Sequence, residues 1–329
     1  MVSAMKMVTI GVCDMAEGLH LFRDIMGLRL DAEYEASDAL RALWHLTPDT
    51  KVSLAELSCQ GYPCGIVRLA SFSPAPTQKV RVHSGLGTFD SATDIGPKAI
   101  DFYVRAPIKD TYNRVIEAGY EARSAPILHE VGDTISEEFV FWGPDGVPIL
   151  LMVGHRHGSD HMRAGSPHGD FSEVPTVSII AGDLERTKQF YGDVLGLKAI
   201  VDTSTAAEFQ NQVNELTGTP KGTDTSWLVY VQNTAAGREE PSGKILLLYF
   251  HEATGKRLVD RMRPGHLGFS LLTHLCEDLD ALADDVAKAG FEIFSGPGEV
   301  EIDGETRRIM LVKGPNEEMF EFIEQPYSA

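Results

Sequence analysis

Four histidines able to do chemistry, His155, His157, His161 and His168, crowd into one stretch otherwise rich in Gly and Ser. Imidazole is a common metal ligand. A stretch with no hydrophobic period must, however, be ordered at an entropic cost before it can hold an ion, so a solvated connection is the preferred reading. Cys59 and Cys64 flank a turn-like Gln-Gly-Tyr-Pro segment and are candidates for a redox pair, but ordinary packing is expected. Asp278, Asp280, Asp284 and Asp285 form an acidic run that most simply caps a helix and solvates its outer face. Gly85-Leu86-Gly87 lacks the strand-to-helix setting of a phosphate loop, and neither zinc-ribbon spacing nor a nucleophile elbow occurs. The aromatic residues Trp227, Tyr230, Tyr249 and Phe250 lie on strand-like runs, where they either form core or line a cavity.

These residues belong to a chain of 329 residues with 43% hydrophobic content and a formal charge of -19. That size supports two packed cores. The negative charge repels polyphosphate, and the scattered Lys and Arg form no basic patch, so no nucleic-acid partner is expected. No segment has the length or composition of a leader or a membrane span. Four cysteines at irregular spacing suit a reducing compartment, and a cytoplasmic protein is expected.

An internal repeat organises the elements. Val8 to Leu30 lies over Val177 to Ala199 without a gap. In the first copy an apolar strand ends at Asp14, which is placed to cap a helix with Glu17 three residues on, and Gly27 stops that helix. Asp183, Phe190, Tyr191 and Gly196 repeat the design. A weaker echo predicts strands at Ala99 to Val104 and His266 to Leu271, each followed by a helix ending at Gly119 or Gly290. Further strands are predicted at Ala42 to Leu46, Ile66 to Phe72, Phe139 to Trp142, Trp227 to Val231, Lys244 to Phe250 and Arg308 to Val312.

Asp183 to Leu197, an apolar strand followed by Asp-Leu, Phe-Tyr and Val-Leu-Gly-Leu, resembles the opening of a vicinal oxygen chelate module. Gly143-Pro144-Asp145-Gly146 and Gly314-Pro315-Asn316-Glu317 resemble its closing turn. The family includes glyoxalases, extradiol dioxygenases and bleomycin-resistance proteins. The resemblance implies an α+β fold of four βαβββ modules paired into two cup-shaped mixed-sheet domains. Residues 1–154 would form a degenerate N-terminal glyoxalase-like domain, 155–172 a linker and 173–329 the C-terminal domain, each half curling its own sheets into a cup.

In that family the cup holds a divalent metal, bound from the first strand of each module and from the strand after the closing turn. In the N-terminal half the matching positions are Met7, Ala99 and Leu150, none of which binds such a cation. The resemblance implies a metal-free first cup that is structural or holds an apolar ligand. In the C-terminal half it places His266 on the opening strand of the fourth module and Glu321 on its closing strand, as metal ligands and catalytic groups. Thr176, at the opening of the third module, becomes a substrate-binding residue. A third ligand would come from near the Lys244 to Phe250 strand, with Tyr249 and His251 as candidates and Glu173 more distant. Tyr249 is also a candidate proton shuttle, and Trp227 and His251 candidates for substrate contact.

The implied function is isomerase, epimerase or lyase chemistry on a small aromatic or carbonyl-bearing metabolite. It would use one divalent ion (Fe, Mn, Zn or Ni), or no metal with Glu321 as base and His266 or Thr176 stabilising an oxyanion. Ring-cleaving dioxygenase chemistry is the first alternative. It is disfavoured by Thr176 in place of an iron ligand, Leu311 in place of a Tyr, and the lack of a His between Gly304 and Thr306. A non-catalytic binding or resistance protein is the second. Edge strands of such cups pair between subunits, so a homodimer is compatible with the reading.

Overall fold

A computed structural model describes residues 2–59, 62–82, 90–131, 134–156, 162, 169–205, 216, 218–219, 222–234, 242–302 and 304–326. The first module comprises β1 (Val2–Val12), α1 (Met15–Leu19), β2 (Arg29–Glu35), α2 (Asp38–Leu43), β3 (Lys51–Ser58) and β4 (Ile66–Ser73). The second comprises β5 (Gly96–Tyr103), α3 (Ile108–Glu117), β6 (Glu121–Ala122), β7 (Ile127–Val131), β8 (Thr134–Trp142) and β9 (Pro148–Arg156). In the third, β10 (Thr176–Ile180) and α4 (Leu184–Lys188) lead to β11 (Lys198–Thr205), β12 (Thr225–Val231) and β13 (Lys244–Phe250). The fourth runs β14 (Gly268–Cys276), α5 (Leu279–Lys288), β15 (Glu292–Ile302), β16 (Glu305–Lys313) and β17 (Met319–Glu324).

The repeat is visible in local geometry. Asp14 accepts from Ala16 N and Asp183 from Arg186 N, satisfying backbone donors that a helix start leaves open. Both helices continue into a π-helical turn, His20–Ile25 and Gln189–Val194. Gly27 and Gly196 end them at φ 77° and 67°, a conformation a Cβ disfavours. One predicted strand is corrected: Ala42 to Leu46 is the end of α2 and the turn after it. Ser37 caps that helix by accepting from Leu40 N, which fixes a turn before an extended run can form.

The α+β class and the two cup-shaped mixed sheets hold, but the pairing differs from one cup per half. One sheet has the order β15-β16-β17-β14-β1-β4-β3-β2, the other β11-β12-β13-β10-β5-β9-β8-β6 with β7 on β8. Modules one and four therefore share the first cup and modules two and three the second, with antiparallel β1/β14 and β10/β5 seams. The reason lies in where the helices pack. The π-turn after α1 sits against the second module, Phe22 meeting Phe102 at 6.3 Å. The π-turn after α4 sits against the fourth, Phe190 meeting Phe291 at 4.7 Å and Phe320 at 5.3 Å. One hydrophobic core runs between the helix-facing backs of both sheets. Each half thus supplies one wall to each cup. His157, His161 and His168 lie outside the described residues, as does most of the segment 155–172.

Candidate functional site

Strand alternation decides what reaches each cup, since successive side chains point to opposite faces. On β1, Val8 and Ile10 enter the helix-backed core, leaving Met7 and Thr9 to the cup. Thr9 pairs in register with Arg68 on parallel β4, and Thr273 on β14 pairs with Glu321 on parallel β17. The antiparallel β1/β14 seam relates the two pairs. Four side chains therefore converge on the floor of the first cup. Arg68 Nη2 donates to Glu321 Oε1 at 2.7 Å and Arg68 Nε to Thr9 Oγ1 at 2.9 Å. Thr273 Oγ1 donates to Glu321 Oε1 at 3.0 Å, and Trp44 Nε1 to Glu321 Oε2 at 3.1 Å.

Arg68 and Glu321 are both fully buried. Burial alone would lower the Arg68 pKa, but Glu321, Tyr34 and Glu56 together outweigh it and hold the guanidinium above its ordinary value. The Trp44 ring covers the guanidinium with its centroid 5.3 Å from Cζ, and Arg68 Nη1 has no hydrogen-bond partner. Nearby, Tyr34 donates to Glu56 at 2.6 Å, and burial pushes its phenol well up. The chain between β2 and β3 covers this floor. Leu40 and Leu43 of α2 are buried, Leu43 faces Gly298 of β15, and His45 stacks on Phe294 at 4.3 Å.

Glu321 is where the closing strand was expected to place it. His266 is not on the opening strand; it lies in a bend before Gly268, and Thr273 takes the register position beside Glu321. His266 has its backbone carbonyl against Gly11, beyond the Thr9 end of the floor. Its Nδ1 bonds Arg261 O at 2.9 Å, and burial lowers its pKa. In the run from His266 to Cys276 the polar residues Ser270, Thr273 and His274 follow no period of two, so it carried no alternation from which to read the register.

His251 and Tyr249 belong to the other sheet. His251 Nε2 meets Ser226 Oγ at 2.8 Å, Tyr249 packs edge-on against it, and Tyr249 faces the helix-backed core. His266, Glu321 and His251 are therefore not brought together. The divalent ion that the family implies does not fit this first-cup floor, because a guanidinium already occupies it, paired with Glu321 and flanked in register by Glu56. Among the described residues no three His, Cys, Asp or Glu side chains converge to hold a metal.

The second cup is built differently. Ile100 and Phe102 enter the core, and Asp101 between them faces the cup, opposite Thr176 across the β10/β5 seam. Ile180, Leu248 and Phe250 form an apolar wall with Trp227 against them. Asp101 is 6% exposed, and its Oδ1 has no hydrogen-bond partner. Burial raises its pKa well above the usual carboxylate range; Glu138 adds to that rise and Lys98 opposes it. Glu138, on β8, is likewise raised by burial and accepts from Ser136 Oγ at 2.6 Å. His129, paired with Ser136 across β7/β8, is buried with both ring nitrogens unpartnered. Lys98 lies with Nζ 5.5 Å from the Phe250 ring centroid, and burial lowers its pKa well below the ordinary value.

Thr176 and Trp227 are thus brought to one cup, beside carboxyl groups that sequence reasoning missed. Of the missed groups, Arg68 is the lone charge on β4, Asp101 shares β5 with Lys98, and Glu138 follows Glu137 on β8. A lone charge in a strand with both faces covered requires a partner or a purpose, and for Arg68 that was the available signal.

Residues 173–322 match the model of the Glyoxalase/Bleomycin resistance protein/Dioxygenase superfamily. Among solved structures, a mutant form of glyoxalase I from Zea mays superposes with a TM-score of 0.62 at 16% identity, covering 98% of this chain and 92% of that one. Unsubstituted glyoxalase I from Zea mays gives 0.59 at 15%, covering 98% and 92%. A putative dioxygenase from Bacillus subtilis gives 0.59 at 13%, covering 99% and 86%. No curated protein matches the sequence. At such identities the structural likeness speaks for the fold. Residues 173–322 thus match that superfamily by sequence, and the four modules together carry the fold of the solved structures named above.

Proposed function

We propose that the protein performs proton-transfer chemistry, of isomerase, epimerase or lyase type, on a small carbonyl-bearing molecule held in the second cup. The observation that carries this reading is Asp101, a buried carboxyl on the cup face with an unpartnered oxygen. A carboxyl kept protonated by an apolar setting can donate a hydrogen bond to a ligand carbonyl and stabilise the enolate that forms. Two neighbouring carboxyls away from bulk water resist ionising together. Asp101 accordingly holds the proton, while Glu138 takes one from the carbon beside the carbonyl and returns it to the same or an adjacent carbon. Thr176 and Trp227 orient the molecule, and the apolar wall excludes water. This moves the chemistry away from Glu321, whose oxygens are occupied by Arg68, Thr273 and Trp44.

The test is exchange of α-protons for deuterium in a panel of small ketones, aldehydes and hydroxycarbonyl compounds in heavy water, followed by proton NMR. The wild type is expected to accelerate exchange of some members, and Asp101→Asn and Glu138→Gln to lose about two or more orders of magnitude of that rate. Full activity in both variants would remove the second cup from the chemistry. Saturable binding without exchange would instead favour the reading as a binding protein.

A further inference from the structure

The floor of the first cup is assembled from equivalent positions of two equivalent modules. Each contributes a hydroxyl from its opening strand and a long charged side chain from its closing strand, Thr9 with Arg68 and Thr273 with Glu321. The pairs face each other across the antiparallel seam, so all four side chains point at one place. Oxygen or nitrogen ligands at such positions would enclose an ion. Here one of the four arms brings the positive charge itself, tethered to the chain.

We propose that Arg68 is the resident cation of the first cup: its guanidinium takes the place of a divalent ion on the floor between β1 and β14, and replacing it with a ligating side chain would convert that floor into a metal site. Three observations support the assignment. Glu321, fully buried, takes Arg68 as its ion-pair partner, at 2.7 Å. Both of its oxygens are held in place by further donors, Thr273 and Trp44, so the carboxylate is oriented independently of the guanidinium. Thr9 Oγ1 lies within 2.9 Å of Arg68 Nε and stays on the floor when the guanidinium is gone. Arg68→Glu would then set an introduced carboxylate beside Glu321 and two hydroxyls, with Glu56 in register on the neighbouring strand, an oxygen set suited to Mn²⁺, and Arg68→His a mixed set suited to Zn²⁺ or Ni²⁺. Because Trp44 and α2 cover this floor, the ion would be structural, with no open position for substrate.

The experiment is calorimetric titration of chelator-dialysed full-length protein with Mn²⁺ and Zn²⁺, paired with thermal unfolding. The wild type is expected to show no binding that depends on Glu321. Arg68→Glu should bind one Mn²⁺ per chain, and Arg68→His one Zn²⁺, each with a rise in Tm on adding the ion. Both gains should vanish when Glu321→Gln is added, which separates the floor from histidines elsewhere. The inference is overturned if the wild type binds an equimolar ion that Glu321→Gln abolishes, or if both single variants are folded and bind none. It is equally overturned if neither variant folds even with its ion present while Arg68→Met/Glu321→Gln does, since the floor then tolerates loss of the pair but does not accept a metal. These outcomes are independent of the second cup.

Discussion

A guanidinium and a carboxylate taken out of water each carry a desolvation cost of several kcal/mol, which only a well-made pair with its remaining donors and acceptors satisfied recovers. The Arg68–Glu321 pair meets most of these conditions, with Thr9, Thr273 and Trp44 completing it and Nη1 left over. Removing one partner is therefore far worse than removing both. Arg68→Met is expected to lower unfolding free energy by about 3–5 kcal/mol, and adding Glu321→Gln should restore most of that loss. Urea denaturation of the two single variants and the double measures the coupling; strict additivity would mean that the pair is not what stabilises the floor. At this scale the sequence was legible in part. Glu321 follows a recognisable turn and could be placed, whereas its partner lies on β4 of the other half, and a single sequence does not indicate which distant strand supplies the neighbour. Asp101 and Glu138 were visible as charges in or beside apolar runs, but whether such a charge meets solvent, a partner or a ligand depends on packing.

Elements were read more securely than their registers. The capped helices with their glycine stops, and the closing turns, follow local rules that the chain states outright. β14 does not, because its sequence lacks alternation, and this moved His266 off the strand and brought Thr273 to the floor. The same strand carries His274, which is 1% exposed and flanked by Phe320 and Phe322 at 5.8 and 6.0 Å. Its Nδ1 meets Ser3 O at 3.0 Å, tying β14 to the start of β1, and its Nε2 has no partner. Burial brings its pKa down from 6.5 to about 4. A depressed folded-state pKa means that the unfolded chain takes up a proton first. The His274 contribution is therefore complete above pH 6.5 and is lost as pH falls toward 4. His274→Asn, which keeps a donor for Ser3 O, is expected to flatten the acid limb of the stability curve by up to about 3 kcal/mol. Unfolding free energies at about pH 7 and about pH 4.5 measure this, and an unchanged slope would assign the acid sensitivity to other groups.

At the scale of the whole molecule, the duplication was readable but the way its copies interlock was not. A repeat announces equivalent units, while the choice of which units share a sheet depends on where the helices find their core. Here the turn after α1 packs on the second module and the turn after α4 on the fourth, so each half is joined internally through its core and to the other half through both sheets. Separating the chain at the connection would leave β1, β5, β10 and β14 with open edges along the middle of each sheet, and unpaired edges recruit strands. The fragments 1–154 and 173–329 are therefore expected to associate or aggregate when expressed alone. Co-expression should yield a one-to-one complex with the far-UV and near-UV circular dichroism of the intact protein. Size-exclusion chromatography with light scattering decides the matter: stable monomeric fragments with native spectra would mean that each half is a self-sufficient domain and that the shared sheets add little. A ligand bound in the second cup, touching Asp101 from one half and Thr176 from the other, would raise the affinity of the fragments for each other. That coupling makes fragment association a readout for ligand screening that does not require the reaction to be known.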